Sequence, residues 1–393
     1  MTTGVRLVRG PGSPMQPAFL ELFYDLVYVF ALTQITHLLV QDLSWRAALR
    51  AFVLLLALWW IWVLTAWLTD QFDPQHPLLQ LYVILVMLGV LLMAIVLPQA
   101  FARYGLLFAV AYVAIHLTRH VFIMIAEWGT QLAQRSLRAA FWFTGSALLW
   151  IPGAFAEGWL RVVLWLAALT VDYVSAALRW PAPGLGEAPG WELTIQESHL
   201  AERYRQVLVI ALGEIILILG LTFAQGEQGL TLHRTTVLVF AFASTALMWR
   251  LYIYRAGEQL APAIAASSRP HRLSQWSSYA HMVMVAGILL TAVGFTVILE
   301  HPDGNPEPGW TAGIAGGPAL FLAGRSAFEY VIFGRVSRSR WVAMILLAAV
   351  AGAAFHLPPV ATAAAGTFVL AAVALFDTHR AYGRAPEPPA PPT

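Results

Sequence analysis

The chain has 393 residues, of which 59% are hydrophobic and 11% are charged, and its mean hydropathy is +0.68. Soluble domains are about 45–50% apolar and about 25% charged, so this composition excludes an ordinary soluble enzyme and predicts an all-α, polytopic membrane protein with the lipid bilayer as its main partner. A formal charge of +2 without basic runs excludes nucleic-acid binding, and the lack of cysteine excludes disulfides and thiolate metal sites.

Twelve apolar stretches follow one another along the chain. A stretch of about 20 residues is long enough to cross a hydrocarbon core of about 30 Å. The sequence therefore predicts about 12 transmembrane helices, at 19–40, 47–68, 78–98, 101–125, 138–155, 159–179, 200–224, 231–254, 275–299, 311–333, 341–357 and 358–377. The first 18 residues contain no apolar signal-peptide region, so the first stretch is expected to stay in the protein.

Arginines in the short loops predict how the chain lies in the membrane. With the amino terminus in the cytoplasm, fifteen loop arginines fall on the cytoplasmic side and five on the outer side. Cytoplasmic loops carry an excess of basic residues. Both termini are therefore expected in the cytoplasm, and the protein is expected in the inner membrane.

Three pairs of segments indicate an internal repeat. ELFYDLVYVFALTQ from Glu21 is similar to ERYRQVLVIALGEI from Glu202, MLGVLLMAIV to VAGILLTAVG, and LAALTVDY around Asp172 to LAAVALFDTH around Asp377. The matches occur in the same order, which predicts two parallel six-helix repeats. The expected domains are a cytoplasmic segment 1–18, a first repeat 19–179, a linker 180–199, a second repeat 200–377 and a disordered Pro-rich tail 378–393.

Several charged residues fall inside the predicted helices. Glu21, Asp25 and Tyr28 share one face of the first helix, which must therefore contact protein or water. In the seventh helix Glu202 and Gln206 share a face, whereas Glu214 lies near the middle of the membrane. The substrate or ion-coupling candidates are Glu21, Asp25, Asp172, Glu202, Glu214 and Asp377, the expected ion-pair partners are Arg119, Arg250 and Arg325, and the secondary candidates are Tyr28, Gln34, His37 and Gln206.

Two further segments have a structural interpretation. The run from Asp70 to His76 contains oxygen and nitrogen ligands, but we interpret it as a solvated loop and not as a cation site. The glycines of AGIAGGPALFLAG lack the strand and the GK[ST] of a phosphate loop, and they predict close helix packing. No metal site and no cofactor are expected.

The string ELFYDLVYVFALTQITHLL closely resembles the amino-terminal signature of bacterial low temperature requirement A proteins. ERYRQVLVIALGEIILILG is similar to a second landmark of that family, and the spacing extends the resemblance over about residues 15–380. Arg205 and Gln206 stand where the family usually has smaller or apolar residues. The resemblance implies a multi-pass inner-membrane protein and no particular biochemical activity.

Three functions are compatible with these residues. The first is a secondary transporter or permease-like protein in which intramembrane carboxylates couple a small-molecule or ion substrate to protons or cations. The second is a structural or lipid-interacting protein whose charges connect helices. The third is a lipid-modifying enzyme, which is disfavoured because the chain lacks a nucleophile with its base and a metal motif. The oligomeric state does not follow from the sequence.

Overall fold

The computed structural model describes residues 7–9, 17–186, 196–225, 229, 231–301, 308–383 and 387–392. This part of the chain is α-helical and contains no strand, only two isolated β-bridges. The helices are α1 (Phe19–Gln41), α2 (Trp45–Gln71), α3 (Pro77–Val96), α4 (Gly105–Ala126), α5 (Gln131–Phe155), α6 (Gly158–Ala177), α7 (Glu197–Gln225), α8 (Leu232–Tyr252), α9 (Glu258–Ala266), α10 (Pro270–Glu300), α11 (Pro308–Thr311), α12 (Gly317–Phe333), α13 (Arg338–Ala353) and α14 (Pro359–Ala381).

Ten helices in the described part of the chain are long and apolar enough to cross a membrane. This number confirms a multi-pass helical protein. The predicted spans at 138–155 and 311–333 coincide with α5 and with the α11–α12 region, which are not among the ten. The count of twelve, the repeat and the position of the termini stay predictions. Parts of three predicted segments lie outside the described residues: most of segment 1–18, residues 187–195 of the linker, and residues 384–386 and 393 of the tail.

The chain divides into two compact units. Unit 1 consists of Met1–Ile35 and Trp45–Leu200, and unit 2 consists of Thr36–Ser44 and Ala201–Thr393. Within unit 1, α3 packs on α4, α4 on α5, α5 on α6, and α2 on α6. Within unit 2, α10 packs on α12, α12 on α13, α13 on α14, and α8 on α14.

Helix α2 forms the centre of unit 1 because it is apolar on every side. Tryptophans are typical of the membrane interface, where their rings lie at the level of the lipid headgroups. Trp59, Trp60 and Trp62 of α2 are instead fully buried. Trp59 stacks on Trp62 with 5.2 Å between ring centroids, and Trp60 lies 4.3 Å from Tyr173 of α6. These residues therefore belong to the protein core.

Helices α10 and α12 of unit 2 approach each other through small residues. A Cβ atom added to Gly324 would lie 2.6 Å from the backbone nitrogen of Met284, and one added to Gly317 would lie 2.5 Å from that of Thr291. Only glycine allows backbones to come this close. The packing role predicted for the glycines of AGIAGGPALFLAG is thus confirmed.

A single buried arginine holds one end of unit 1 together. Arg161 in the first turn of α6 donates hydrogen bonds of 3.0 Å to the carbonyl oxygens of Ala100, Ala102, Ala154 and Ala156. These carbonyls belong to the turn after α3 and to the end of α5, where no helical N–H groups are available to them. The arginine therefore connects three segments through their free backbone acceptors.

We expect Arg161→Gln to lower the free energy of unfolding by about 2–4 kcal/mol, because glutamine cannot donate to four carbonyl oxygens at once. Thermal unfolding of the purified full chain measures this loss. The exposed Arg103 supplies the matched control, and Arg103→Gln should leave stability unchanged within about 0.5 kcal/mol. Equal stability of Arg161→Gln and Arg103→Gln would contradict the prediction.

Candidate functional site

A histidine bridges two carboxylates in unit 1. His199 Nε2 lies 3.0 Å from Glu21 Oε2, and His199 Nδ1 lies 3.0 Å from Asp70 Oδ1. The three side chains come from the first turn of α1, the last turn of α2 and the first turn of α7. All three are buried, with exposed fractions of 1%, 3% and 0% for Glu21, Asp70 and His199. We call them the Glu21–His199–Asp70 cluster.

Hydrogen bonding within this cluster requires a shared proton. A neutral imidazole carries one N–H, yet both ring nitrogens face a carboxylate oxygen. Either the imidazole is protonated, or one carboxyl group keeps a proton and donates it to the ring. In both cases the three adjacent groups together hold one proton more than a neutral histidine and two ionised carboxylates would hold.

Additional donors hold the two carboxylates in place. The backbone N–H of Ala18 donates to Glu21 Oε2 over 2.9 Å, and the hydroxyl of Thr69 donates to Glu21 Oε1. The backbone N–H of Gln196 donates to Asp70 Oδ2 over 3.1 Å. Both carboxyl groups therefore have fixed orientations toward the imidazole.

The amino-terminal segment 7–9 lies beside the cluster. Val8 forms a β-bridge with Phe72, and Arg9 donates from Nε to the carbonyl oxygen of Thr69 over 3.1 Å. This contact places a guanidinium next to the helix end that carries Thr69 and Asp70.

The second carboxylate of α1 has a different environment. Asp25 Oδ1 accepts a 2.9 Å hydrogen bond from Trp62 Nε1, and both residues are buried. Tyr28 is also buried, and its ring centroid lies 6.3 Å from that of Trp62. The predicted polar stripe of α1 thus contacts protein.

Unit 2 contains an ion-pair network. Arg340 Nη2 lies 2.5 Å from Asp377 Oδ2, and Arg340 Nε lies 3.5 Å from Glu329 Oε2. Arg325 Nη1 lies 3.6 Å from the same Glu329 oxygen, and the Ser337 hydroxyl donates to Glu329 Oε1. Two arginines and two carboxylates therefore neutralise one another.

Arg325 also supports an irregular part of the backbone. It donates bonds of 2.8 Å to the carbonyl oxygens of Leu251 and Tyr254. These residues stand at the π-helical segment Ile253–Gly257, where the α-helical hydrogen bonding of α8 ends. The arginine therefore adds side-chain donors at the point where the α-helical pattern changes.

The remaining candidates of unit 2 are spread over its helices. Glu214 is fully buried, whereas Glu202 is one-third exposed and pairs with Arg205 at 2.5 Å. Gln206 Oε1 accepts a 3.0 Å bond from Arg203, and His37 is exposed. Arg250 has no carboxylate within 4.0 Å among the described residues and reaches the Thr378 hydroxyl at 3.4 Å.

The last candidates lie within unit 1. Asp172 is buried and accepts a 2.8 Å bond from the Tyr112 hydroxyl, and Gln34 is half-buried on α1. Arg119 is buried as well, but the described part of the chain offers it no carboxylate within 4.0 Å. The ion pairing expected of Arg119 and Arg250 is thus not seen there, while that of Arg325 is.

Sequence analysis missed the bridging histidine and its second carboxylate. His199 fell in the predicted linker, because α7 begins at Glu197 and not at residue 200. Asp70 was expected in a solvated loop, which is wrong: it occupies the last turn of α2 and is buried. The acidic and basic residues of ESHLAERYR, spaced as on one helix, were the signal for an earlier helix start.

Comparisons with known proteins found a family model and a relative that match most of the chain. Residues 18–375 match the family model described as bacterial low temperature requirement A protein. The chain is 39% identical over 311 residues to an uncharacterized protein of Rhizobium meliloti (strain 1021). The aligned region covers 78% of this chain and 75% of that protein. No solved structure matches the chain.

Proposed function

The chain belongs to the bacterial low temperature requirement A family, and we propose that it is a secondary transporter or permease-like protein that couples a small molecule or an ion to protons. The observation that carries the proposal is the Glu21–His199–Asp70 cluster, in which one proton is held by three buried groups. Ionisable residues of this kind inside membrane helices are typical of proton relays in transporters. Nothing in this role requires catalysis or a metal.

The architecture that we propose has twelve membrane spans in two parallel six-helix repeats, with both termini in the cytoplasm of an inner-membrane protein. Its support is that units 1 and 2 contain corresponding helix pairs, such as α5 with α6 and α13 with α14. Arg325 also lies 206 positions after Arg119, and Asp377 lies 205 positions after Asp172. Repeats of this type are common in transporters.

The two units differ in how their charges are satisfied. In unit 2, Arg325, Glu329, Arg340 and Asp377 form direct ion pairs. This arrangement favours the second candidate function, interhelical stabilisation, for the charges of unit 2. We therefore assign proton coupling to unit 1 and a structural role to the network of unit 2.

Proteoliposomes test the transport proposal. The purified chain is reconstituted with a pH-sensitive dye inside and exposed to a protein-free small-molecule extract of bacterial cytoplasm, with the membrane potential clamped. We expect an internal pH change with the wild-type chain that His199→Gln reduces by at least about tenfold, because glutamine cannot carry a proton between the carboxylates. His379→Gln changes an exposed histidine of α14 and should retain the signal.

Two results would overturn the proposal. One is a wild-type signal no larger than that of empty liposomes. The other is a signal that His199→Gln leaves intact at unchanged thermal stability.

A further inference from the structure

A small cavity of about 60 Å³ lies within unit 1, between α2, α4, α5 and the turn after α6. A bound water needs about 10–15 Å³ of such space, so the cavity has room for an ion of a few atoms. Arg119 and Arg135 line it, and no aspartate or glutamate does so among the described residues. The charged side chains of the described lining are therefore basic.

Arg119 is the buried cation of this cavity, with an exposed fraction of 5%. Its Nη2 lies 2.9 Å from His120 Nε2, and His120 Nδ1 lies 2.9 Å from the Ser136 hydroxyl. Since a guanidinium only donates, His120 accepts at Nε2 and is a neutral ring with its proton on Nδ1. His120 thus orients the guanidinium without neutralising its charge.

Two further donors in the wall have no acceptor. Trp67 and Trp180 both line the cavity, and their buried indole N–H groups have no hydrogen-bond partner among the described residues. Buried tryptophan N–H groups usually find an acceptor. A bound group with acceptor oxygens would satisfy these donors and compensate the charge of Arg119.

The turn that carries Trp180 has an unusual backbone conformation. Arg179 and Trp180 have φ angles of 63° and 49°, in the left-handed region that non-glycine residues seldom adopt. This turn places the Trp180 ring 4.9 Å from the guanidinium carbon of Arg135. Strain in two successive residues is thus associated with the wall of the cavity.

Unit 2 shows what the site in unit 1 lacks. The segment RHVFI from Arg119 in α4 is similar to RSAFE from Arg325 in α12. Glu329, four residues after Arg325, places its carboxylate 3.6 Å from that arginine. The corresponding residue of unit 1 is Ile123, which lines the cavity and has no charge.

From these observations we infer that the cavity of unit 1 binds a small free anion, an inorganic oxyanion or a short carboxylate, which takes the place that the Glu329 carboxylate has in unit 2. Arg119 supplies the charge, and the Trp67 and Trp180 indoles supply neutral donors. The inference does not depend on transport, since an anion can bind here as a ligand, a cofactor ion or a substrate.

Ligand-dependent thermal stability tests the site. The purified full chain is unfolded by heat in detergent, in separate samples that contain sodium phosphate, sodium nitrate or sodium acetate at the same ionic strength. The Tm in each sample is compared with the Tm in sodium gluconate, whose anion is larger. A ligand that binds only the folded state raises Tm with its concentration. We expect at least one of the three small anions to raise Tm by roughly 2 °C or more relative to gluconate. Tryptophan fluorescence should change over the same concentration range.

Substitutions at two positions assign the effect to this cavity. Arg119→Gln should abolish the Tm increase. Ile123→Glu places a carboxylate four residues after Arg119, so it should make the protein insensitive to anions and raise its Tm in gluconate. Ile123→Gln is the matched uncharged control and should retain the anion response. The Ile123 pair keeps the test decisive if Arg119→Gln does not fold.

The inference fails if none of the three small anions stabilises the wild-type chain, or if Ile123→Glu responds like Ile123→Gln. Nanodiscs of phosphatidylcholine and phosphatidylglycerol distinguish a free anion from a lipid headgroup. Stabilisation that appears only with phosphatidylglycerol and disappears in Ile123→Glu would assign the site to a lipid phosphate and overturn the inference of a free anion.

Discussion

Asp377→Asn is expected to lower the free energy of unfolding by about 3 kcal/mol, because it leaves the buried Arg340 guanidinium without the full charge of its partner at 2.5 Å. Arg340 has an exposed fraction of 1%, so water cannot solvate its guanidinium in place of the carboxylate. Glu329 lies 3.5 Å from Arg340 Nε and compensates only in part, since it also faces Arg325. Thermal or denaturant unfolding of the reconstituted chain measures the loss.

Asp172→Asn is the matched control for Asp377→Asn. Asp172 is also buried, but it accepts a 2.8 Å hydrogen bond from the neutral Tyr112 hydroxyl, to which an asparagine carbonyl can also serve as acceptor. A loss below about 1 kcal/mol is therefore expected. The double variant Arg340→Met with Asp377→Leu should recover most of the stability lost in Asp377→Asn, because it removes both buried charges. Similar losses in Asp172→Asn and Asp377→Asn would contradict a structural ion pair at Asp377.

The helical fold and the buried face of α1 followed from the sequence, because lipid imposes strong rules on composition. Long apolar stretches predicted the helices, and the cost of a charge in lipid predicted that Glu21, Asp25 and Tyr28 face protein or water. All three residues are buried. The interpretation of the glycines in AGIAGGPALFLAG as packing residues also correctly placed Gly317 and Gly324 in close helix packing.

The partners of these charges did not follow from the sequence. Glu21 contacts His199, which lies 178 positions away, and Asp25 contacts Trp62 in a different helix. Helical periodicity tells which residues share a face, but it does not tell which helix covers that face. Asp70 was assigned to a solvated loop, whereas α2 continues to Gln71.

Arg119 and Arg325 illustrate the same limit more sharply. Both were expected to form ion pairs, and both are buried arginines in similar local sequences. A single difference four residues later, Ile123 against Glu329, decides whether the cation is neutralised within its own helix. Pairing therefore depends on individual positions and not on the number of charges in a helix.

Glu21→Gln and Asp70→Asn should each reduce proton-coupled flux in proteoliposomes by at least about tenfold, and the double variant should reduce it no further. Each carboxylate contacts one nitrogen of His199, so the loss of either interrupts the proton position that they share through the imidazole. Residues that act as a unit show such non-additive effects. The measurement is the internal pH change after addition of the same small-molecule extract, normalised to the amount of reconstituted protein.

Thermal stability separates this prediction from a structural role of the cluster. In Glu21→Gln the amide oxygen can still accept from the backbone N–H of Ala18 while its NH2 group donates to the Thr69 hydroxyl. In Asp70→Asn the amide oxygen can still accept from the backbone N–H of Gln196, so the helix ends remain connected. A transport role predicts a large loss of flux with a small change in Tm. If the two substitutions instead lower Tm additively while flux per folded protein stays at the wild-type level, the cluster holds α1, α2 and α7 together and does not carry protons.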